Sequence, residues 1–216
     1  SQWLDGHTDH HGAWPADTYY ADINGIWTDS TVNSTNSTYS WCTNHPGDGK
    51  FDQNTIPSLV ELAMGRVDFH ALPVFQESEE ELLRLYLIKD HQYRHGIITQ
   101  PKRALIDDQM GWGNSSNAWI NMATLVDPDS VYEEAYLSMS DDGYLISSAF
   151  GFGTWWSMSG VLNHYDYALN DIQSIFTFSF GSYFGDWDSW DGLLRCALGS
   201  GTVLTNVWTG RPGWKY

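Results

Sequence analysis

The sequence predicts an α/β fold built on a mostly parallel sheet. Three observations carry that expectation. From about residue 58 onward, short apolar runs of strand length alternate with stretches of helical spacing. One run, "RALIDD", ends in two aspartates, which suits a parallel strand with carboxylates at its carboxyl edge. The remainder, residues 1–55, is rich in Gly, Asp, Asn and Ser and has little periodicity. We therefore expect a loop-rich N-terminal part over 1–55, with metal-binding character, belonging to the same domain as an α/β part over 56–216.

The elements follow in order. "LVELAMGRVDF" reads as a buried strand ending at a glycine. "SEEELLRLYLIKDHQYR" has a Ser N-cap and an acidic first turn, with Leu82, Leu83, Tyr86 and Leu87 at helical spacing. "RALIDD" is the next strand and "SSNAWINMATLV" the second helix. "GYLISSAF" and "SIFTFSF" are strands, "SWDGLLRCALGS" is a helix closed by glycine, and "TVLTNVWTG" is the last strand. Strand–helix alternation of this kind implies a parallel sheet, whose functional residues collect beyond the carboxyl ends of the strands. The places to inspect are Asp107 and Asp108, the turn around Phe152, and "FGSYFGDWDSWD".

Bulk properties narrow the function. The 216 residues are 42% hydrophobic, enough to bury a core. The net charge of −17 argues against nucleic acid and anionic membranes, whose charge would repel the chain. No apolar stretch is long enough to span a bilayer, so no membrane insertion is expected. The abrupt ends, "SQWLDGH" and "RPGWKY", suggest a fragment of a longer protein. Sequons at Asn33, Asn36 and Asn114, together with few lysines, point to a glycosylated, secreted or cell-surface protein. Cys42 and Cys196 are too far apart for a zinc knuckle. Whether they form a disulfide is left open.

Two metal readings arise. His7, Asp9 and His10 copy the second half of the H-x-H-x-D-H pattern of dinuclear zinc hydrolases. The first histidine would fall at Asp5, and no strand precedes it. Calcium fits better. Asp22, Asn24 and Asp29 surround one glycine turn, and Asp48 and Asp52 another, supplying the hard oxygens that Ca²⁺ takes. Neither loop is a complete EF-hand, so the two would have to converge. Asx-turns account for each loop alone.

The apolar run in "GYLISSAFGFGTW" breaks into a glycine-flanked turn that presents Phe152, which cannot titrate. Ser182 is a nucleophile in name, with His164 the nearest candidate base in the sequence. A dyad needs the two within hydrogen-bond reach, and nothing in the spacing favours that. Twelve tryptophans are many. Those in "GTWWSM" and "FGDWDSWDG" lie near the predicted functional edge, where they could stack on sugars or proteins, while core burial is expected for most of the twelve.

Taken in order, "WPADTYYADINGIWTD", "NTIPSLVELAMGRVDF", "ALIDD", "GYLISSAFGFGTWW" and "SIFTFSFGSYFGDWD" resemble the gingipain-type cysteine peptidases, over roughly residues 14–210. The resemblance is nearest to large, uncharacterised secreted bacterial members. It implies a caspase-like three-layer sandwich and bound calcium. In that family one strand ends in Gly-His-Gly, which carries the catalytic base, and the next ends in the nucleophilic cysteine ahead of Gly-Asp-aromatic. Here the first triplet is Gly151-Phe152-Gly153. The match of Gly185-Asp186-Trp187 puts Ser182 at the cysteine position, and matching by strand end puts Phe180 there. Neither thiol nor imidazole stands at these positions, so the resemblance implies a family member that has lost its dyad. Phe152 is expected to bury apolar bulk where the base would be, worth about 2 kcal/mol.

The expected function is that of a non-catalytic structural or binding module in an extracellular assembly, with a protein or glycan partner or self-assembly. The alternatives are an active hydrolase using Ser182 or a metal centre, and a carbohydrate-binding surface.

Overall fold

The computed structural model describes residues 17–30, 43–53, 55–111, 113–185 and 189–209. Compact packing divides the chain into Ser1–Arg66 and Val67–Tyr216. The division falls after Arg66 rather than after residue 55 because residues 56–66 are tied to the start of the first unit. The N–H groups of Glu61 and Leu62 both donate to the Ala21 carbonyl, at 3.0 and 3.1 Å. The Arg66 guanidinium pairs with Asp17.

The first unit has one short helix, α1 (Thr18–Ala21), and long irregular loops. An aromatic cluster holds it together. Tyr19 stacks on Phe51 with centroids 4.5 Å apart, and Trp27 lies 5.6 Å from Phe51 and 5.8 Å from Tyr19.

The expected strand over "LVELAMGRVDF" does not form. Residues 59–69 are irregular, and Leu59 is 85% exposed. A strand needs a neighbour to take its backbone bonds. Here Glu61 and Leu62 are instead bonded to Ala21. Only Phe69, in the second unit, reaches a core.

The second unit begins with α2 (Glu79–Arg94). Ser78 caps it by accepting the Glu81 N–H, and Glu79, Glu80 and Glu81 fill the first turn, where carboxylates favour the positive helix end. Five parallel strands then form the sheet: β1 (Ala104–Asp108), β2 (Val131–Glu133), β3 (Tyr144–Phe150), β7 (Ser174–Phe180) and β8 (Thr205–Thr209). Their order is β2-β1-β3-β7-β8. In the sequence between β3 and β7 the chain forms a small antiparallel sheet of β4 (Gly153–Thr154), β5 (Ser157–Met158) and β6 (Leu162–Asn163).

Helices cover both sheet faces, as a parallel sheet requires. Alternation along β1 makes the two cores. Ala104 and Ile106 pack with Ala118 and Met122 of α3 (Asn114–Met122). Leu105 points the other way, into the core that includes Tyr167 of α4 (His164–Leu169) and Cys196 of α5 (Leu193–Gly199). The chain runs from β1 to β2 in one direction and from β3 through β7 to β8 in the other. The order therefore reverses between β1 and β3, the position at which ligands bind in open α/β sheets of this kind. No helix among the described residues is long and apolar enough to cross a membrane.

Candidate functional site

The carboxyl ends of β3 and β7 leave the sheet side by side. Phe150 pairs with Phe180 in register, and the Gly151 N–H donates to the Phe180 carbonyl at 3.0 Å. The chains then approach closely enough to demand glycine. A Cβ on Gly153 would stand 2.4 Å from the Ser182 carbonyl oxygen, and one on Gly181 would stand 2.5 Å from the Gly151 carbonyl oxygen. The turn thus presents residues 152 and 182 at neighbouring strand ends.

Phe152 does not fill a buried site. Its residue is 56% exposed, and its carbonyl accepts the Ser159 N–H at 2.8 Å. The expected gain from burying it at the turn is not realised. The burial falls instead to its neighbours: Phe150 and Phe180 lean on each other with centroids 5.9 Å apart, and Phe180 is only 7% exposed.

Ser182 is half-buried and makes no hydrogen bond to an imidazole or carboxylate among the described residues. His164 is engaged elsewhere. It is buried, its Nδ1 lies 3.4 Å from the Trp156 carbonyl, and its ring is flanked by Trp156 and Tyr165. Other groups with names suited to catalysis are equally quiet. The Cys196 thiol is free and buried in α5, and burial pushes its pKa up, which removes the thiolate. The hydroxyls of Tyr136 and Tyr167 lie 3.4 Å apart in the core, and burial raises the pKa of both.

The two aspartates that end β1 are anchors. Asp107 is buried and accepts the Tyr136 N–H at 2.8 Å and the Gln109 amide at 2.6 Å. Asp108 accepts the N–H groups of Met110, Gly111 and Ser115 and thereby holds the start of α3. Asn114, one of the sequons, is the first residue of that helix, and its Nδ2 lies 3.5 Å from Asp108 Oδ1.

No protein-family model, curated protein or solved structure matches this chain. The site is therefore read from its own chemistry.

What the loops do expose is aromatic. Phe152, Trp155, Trp156, Tyr165 and Trp190 all keep a large share of their surface, from 41% at Trp156 to 70% at Trp190. Phe152 precedes β4, Trp155 and Trp156 lie between β4 and β5, Tyr165 is on α4, and Trp190 lies just ahead of α5. The Trp155 carbonyl ties these parts together by accepting the Leu193 N–H at 2.7 Å. Core burial was expected for most tryptophans. Among the described residues Trp27 is intermediate, and Trp119, Trp155, Trp156, Trp190 and Trp208 are exposed. The core uses Phe, Tyr, Leu and Met instead.

In the first unit, the proposed calcium ligands fall into two hydrogen-bonded groups. Asp22 and Asn24 meet at Ser58, whose hydroxyl lies 2.5 Å from Asp22 Oδ1 and 2.8 Å from Asn24 Oδ1. Glu61 joins them through Ile23 N and Asn24 Nδ2. Asp22 Oδ2 is buried with no hydrogen-bond partner. The Ser58 hydroxyl bond keeps the Asp22 pKa below its ordinary value.

Asp29, Asp48 and Asp52 form the second group. Asp29 accepts from Gly47 N and Gly49 N, both at 2.8 Å. Asp48 accepts from His45 N and Lys50 N, and the first of these bonds does most to lower its pKa. Asp52 accepts from the Thr28 hydroxyl at 2.6 Å and from Ser30 N at 2.8 Å. Of the three, only Asp48 organises its own turn in Asx fashion. Asp29 and Asp52 instead tie the two loops to each other, so Asx-turns do not account for each loop alone.

Sequence reasoning missed Asn44 and Gln53. Their amide nitrogens bond backbone carbonyls, while Asn44 Oδ1 and Gln53 Oε1 are buried without a partner. Nothing local in the sequence marks them. Among the described residues no three His, Cys, Asp or Glu side chains converge as a metal set. His7, Asp9 and His10, the sequons Asn33 and Asn36, Cys42, and Asp186 and Trp187 lie outside the described residues.

Proposed function

We propose that this chain is a non-catalytic, secreted, gingipain-like module of caspase-like fold that binds a protein or glycan through the aromatic rim at the ends of β3 and β7. One observation carries the reading. The adjoining strand ends that would need a base and a nucleophile offer Phe152, Ser182 and Phe180, and no described imidazole or carboxylate reaches Ser182. Serine without a base is inert. The strand order β2-β1-β3-β7-β8 and the paired glycine turns are compatible with the family resemblance. The exposed Trp155, Trp156 and Trp190 supply flat apolar faces, and such rings hold sugar faces or protein side chains at binding surfaces.

Calcium in the first unit belongs to the same proposal. Ca²⁺ takes oxygen ligands, and among the unit's described residues three buried oxygens have no hydrogen-bond partner, at separate places in the loops: Asp22 Oδ2, Asn44 Oδ1 and Gln53 Oε1. The ion would supply charge compensation and loop order, not chemistry.

A fluorophosphonate probe tests the catalytic half. Absence of labelling at Ser182, with no turnover of a mixed peptide library, supports the reading. Labelling that disappears in Ser182→Ala contradicts it. An array of glycans and of extracellular proteins tests the binding half. The reading expects a partner whose retention falls when Trp155 and Trp190 are changed together to alanine. Equal retention by the variant removes the rim as the binding surface.

A further inference from the structure

His91 and His95 stand four residues apart at the end of α2. That spacing sets both on one helix face, one turn apart. Their rings have centroids 4.2 Å apart with planes inclined at 43°, and both residues are exposed. Neither imidazole nitrogen has a hydrogen-bond partner among the described residues. This separates the pair from the other described imidazoles on which the second unit draws. His70 Nδ1 faces Glu79 at 3.5 Å, and His164 Nδ1 faces the Trp156 carbonyl.

The surroundings favour a cation. His95 is the C-cap residue, so the pair sits at the negative end of the helix dipole. The adjoining charges already cancel: Arg94 Nε bonds both oxygens of Asp90, at 2.9 and 2.8 Å. Lys89 is turned inward to backbone carbonyls of the chain following α5 and at its end. The chain as a whole carries −17, which raises the local concentration of cations.

Two neutral imidazoles one helical turn apart are the same pair that helical zinc sites use, and each nitrogen bonds a metal at about 2.0–2.1 Å. With centroids this close, one nitrogen from each ring can reach a shared ion through rotamer adjustment alone. We propose that His91 and His95 form a two-imidazole chelate for a divalent late transition-metal ion, with water completing the coordination. Imidazole selects copper, nickel or zinc over calcium and magnesium, and copper(II) binds tightest in this series. Only a deprotonated ring nitrogen ligates, so protons compete with the ion for both rings. The bound ion would bridge the last turn of α2 and hold it against fraying.

Calorimetric titration of the whole chain with copper(II) at pH 7.5, repeated with nickel(II), tests this. The wild type and a His70→Gln variant should show the same number of binding equivalents. His91→Gln and His95→Gln should each lose one. A His7→Gln/His10→Gln variant should keep that equivalent, which separates the helix pair from the N-terminal histidines. Substoichiometric copper should broaden the ring proton signals of His91 and His95 in NMR spectra while far-UV circular dichroism shows every variant folded. An unchanged isotherm in the His91→Gln/His95→Gln variant, or broadening that spares both rings, overturns the proposal. So does loss of the same equivalent in His70→Gln.

Discussion

The Gly153 Cα faces the Ser182 carbonyl so closely that a methyl group there would stand 2.4 Å from the oxygen. Real Cβ atoms do not approach an oxygen to that distance, and the neighbour is backbone, which cannot swing away. Gly153→Ala should therefore destabilise the second unit by about 1–3 kcal/mol, as overpacking does elsewhere. Gly181→Ala, facing the Gly151 carbonyl at 2.5 Å, should behave alike. Urea unfolding reads both. A glycine outside these contacts, Gly65, has open space around it and should accept alanine with little change.

Surface aromatics should behave in the opposite way. Trp190 is 70% exposed and Phe152 is 56% exposed. Replacing Trp190 by alanine should move stability by no more than about 0.5 kcal/mol, the usual range for surface positions. The same change should weaken partner retention. Thermal melting and a binding assay on one preparation separate the two effects. A large drop in melting temperature would make Trp190 a core residue in function.

Lys89 gives a pH dependence with a definite sign. It is 9% exposed, and its ammonium donates to the carbonyls of Leu198, Ser200 and Gly201 at 2.7, 3.1 and 3.3 Å. Burial lowers its pKa to about 7 from the ordinary 10.5. Between those values the unfolded chain holds a proton that the folded chain lacks, so folding stability rises with pH across that window. Below pH 7 the penalty for the buried charge is complete and constant. Measured against Lys89→Gln, wild-type stability should therefore climb from pH 7 to pH 9 and stay level from pH 5 to pH 6. A difference that falls over pH 7–9 contradicts this assignment.

Calcium should protect the first unit. If the unpartnered Asp22 Oδ2 helps to hold an ion, chelator lowers the melting temperature and added Ca²⁺ restores it. At one hundred times the dissociation constant the gain is about 2.7 kcal/mol. Asp22→Asn should reduce the response. A melting curve indifferent to chelator removes the metal from the account.

The sheet was legible because its strands and helices announce themselves locally. Ser78 followed by three glutamates marks the start of α2, and "ALIDD", "YLISSAF" and "SIFTFSF" are strands wherever a buried parallel sheet is offered. The two- and three-residue strands were not legible: β2 exists only through pairing with distant β1, and β4–β6 are two-residue hairpin segments too short to show an apolar alternation. "LVELAMG" misled for the same reason in reverse. Its apolar residues fit a strand, but none pairs with it, and Glu61 is drawn to Ile23 and Asn24 instead.

The site was half legible. Residue identity alone removed a titratable base at position 152. Whether Phe152 points inward or outward depends on Met158 and Ser159, which crowd Gly151 and belong to the unforeseen hairpin. Asp107 looked like a functional carboxylate because it ends a parallel strand. Its bond from the Gln109 amide is local, but the one that marks it as an anchor, from the Tyr136 N–H, comes from a segment 29 residues on that composition does not link to it.

The central claim is that the ends of β3 and β7 hold no working nucleophile. Incubation of the purified chain with a fluorophosphonate probe, followed by mass spectrometry of the peptide containing Ser182, tests it most directly. The account predicts an unmodified Ser182 after hours at neutral pH, in wild type and in His164→Gln alike. Stoichiometric modification of Ser182 that is abolished by His164→Gln would contradict it.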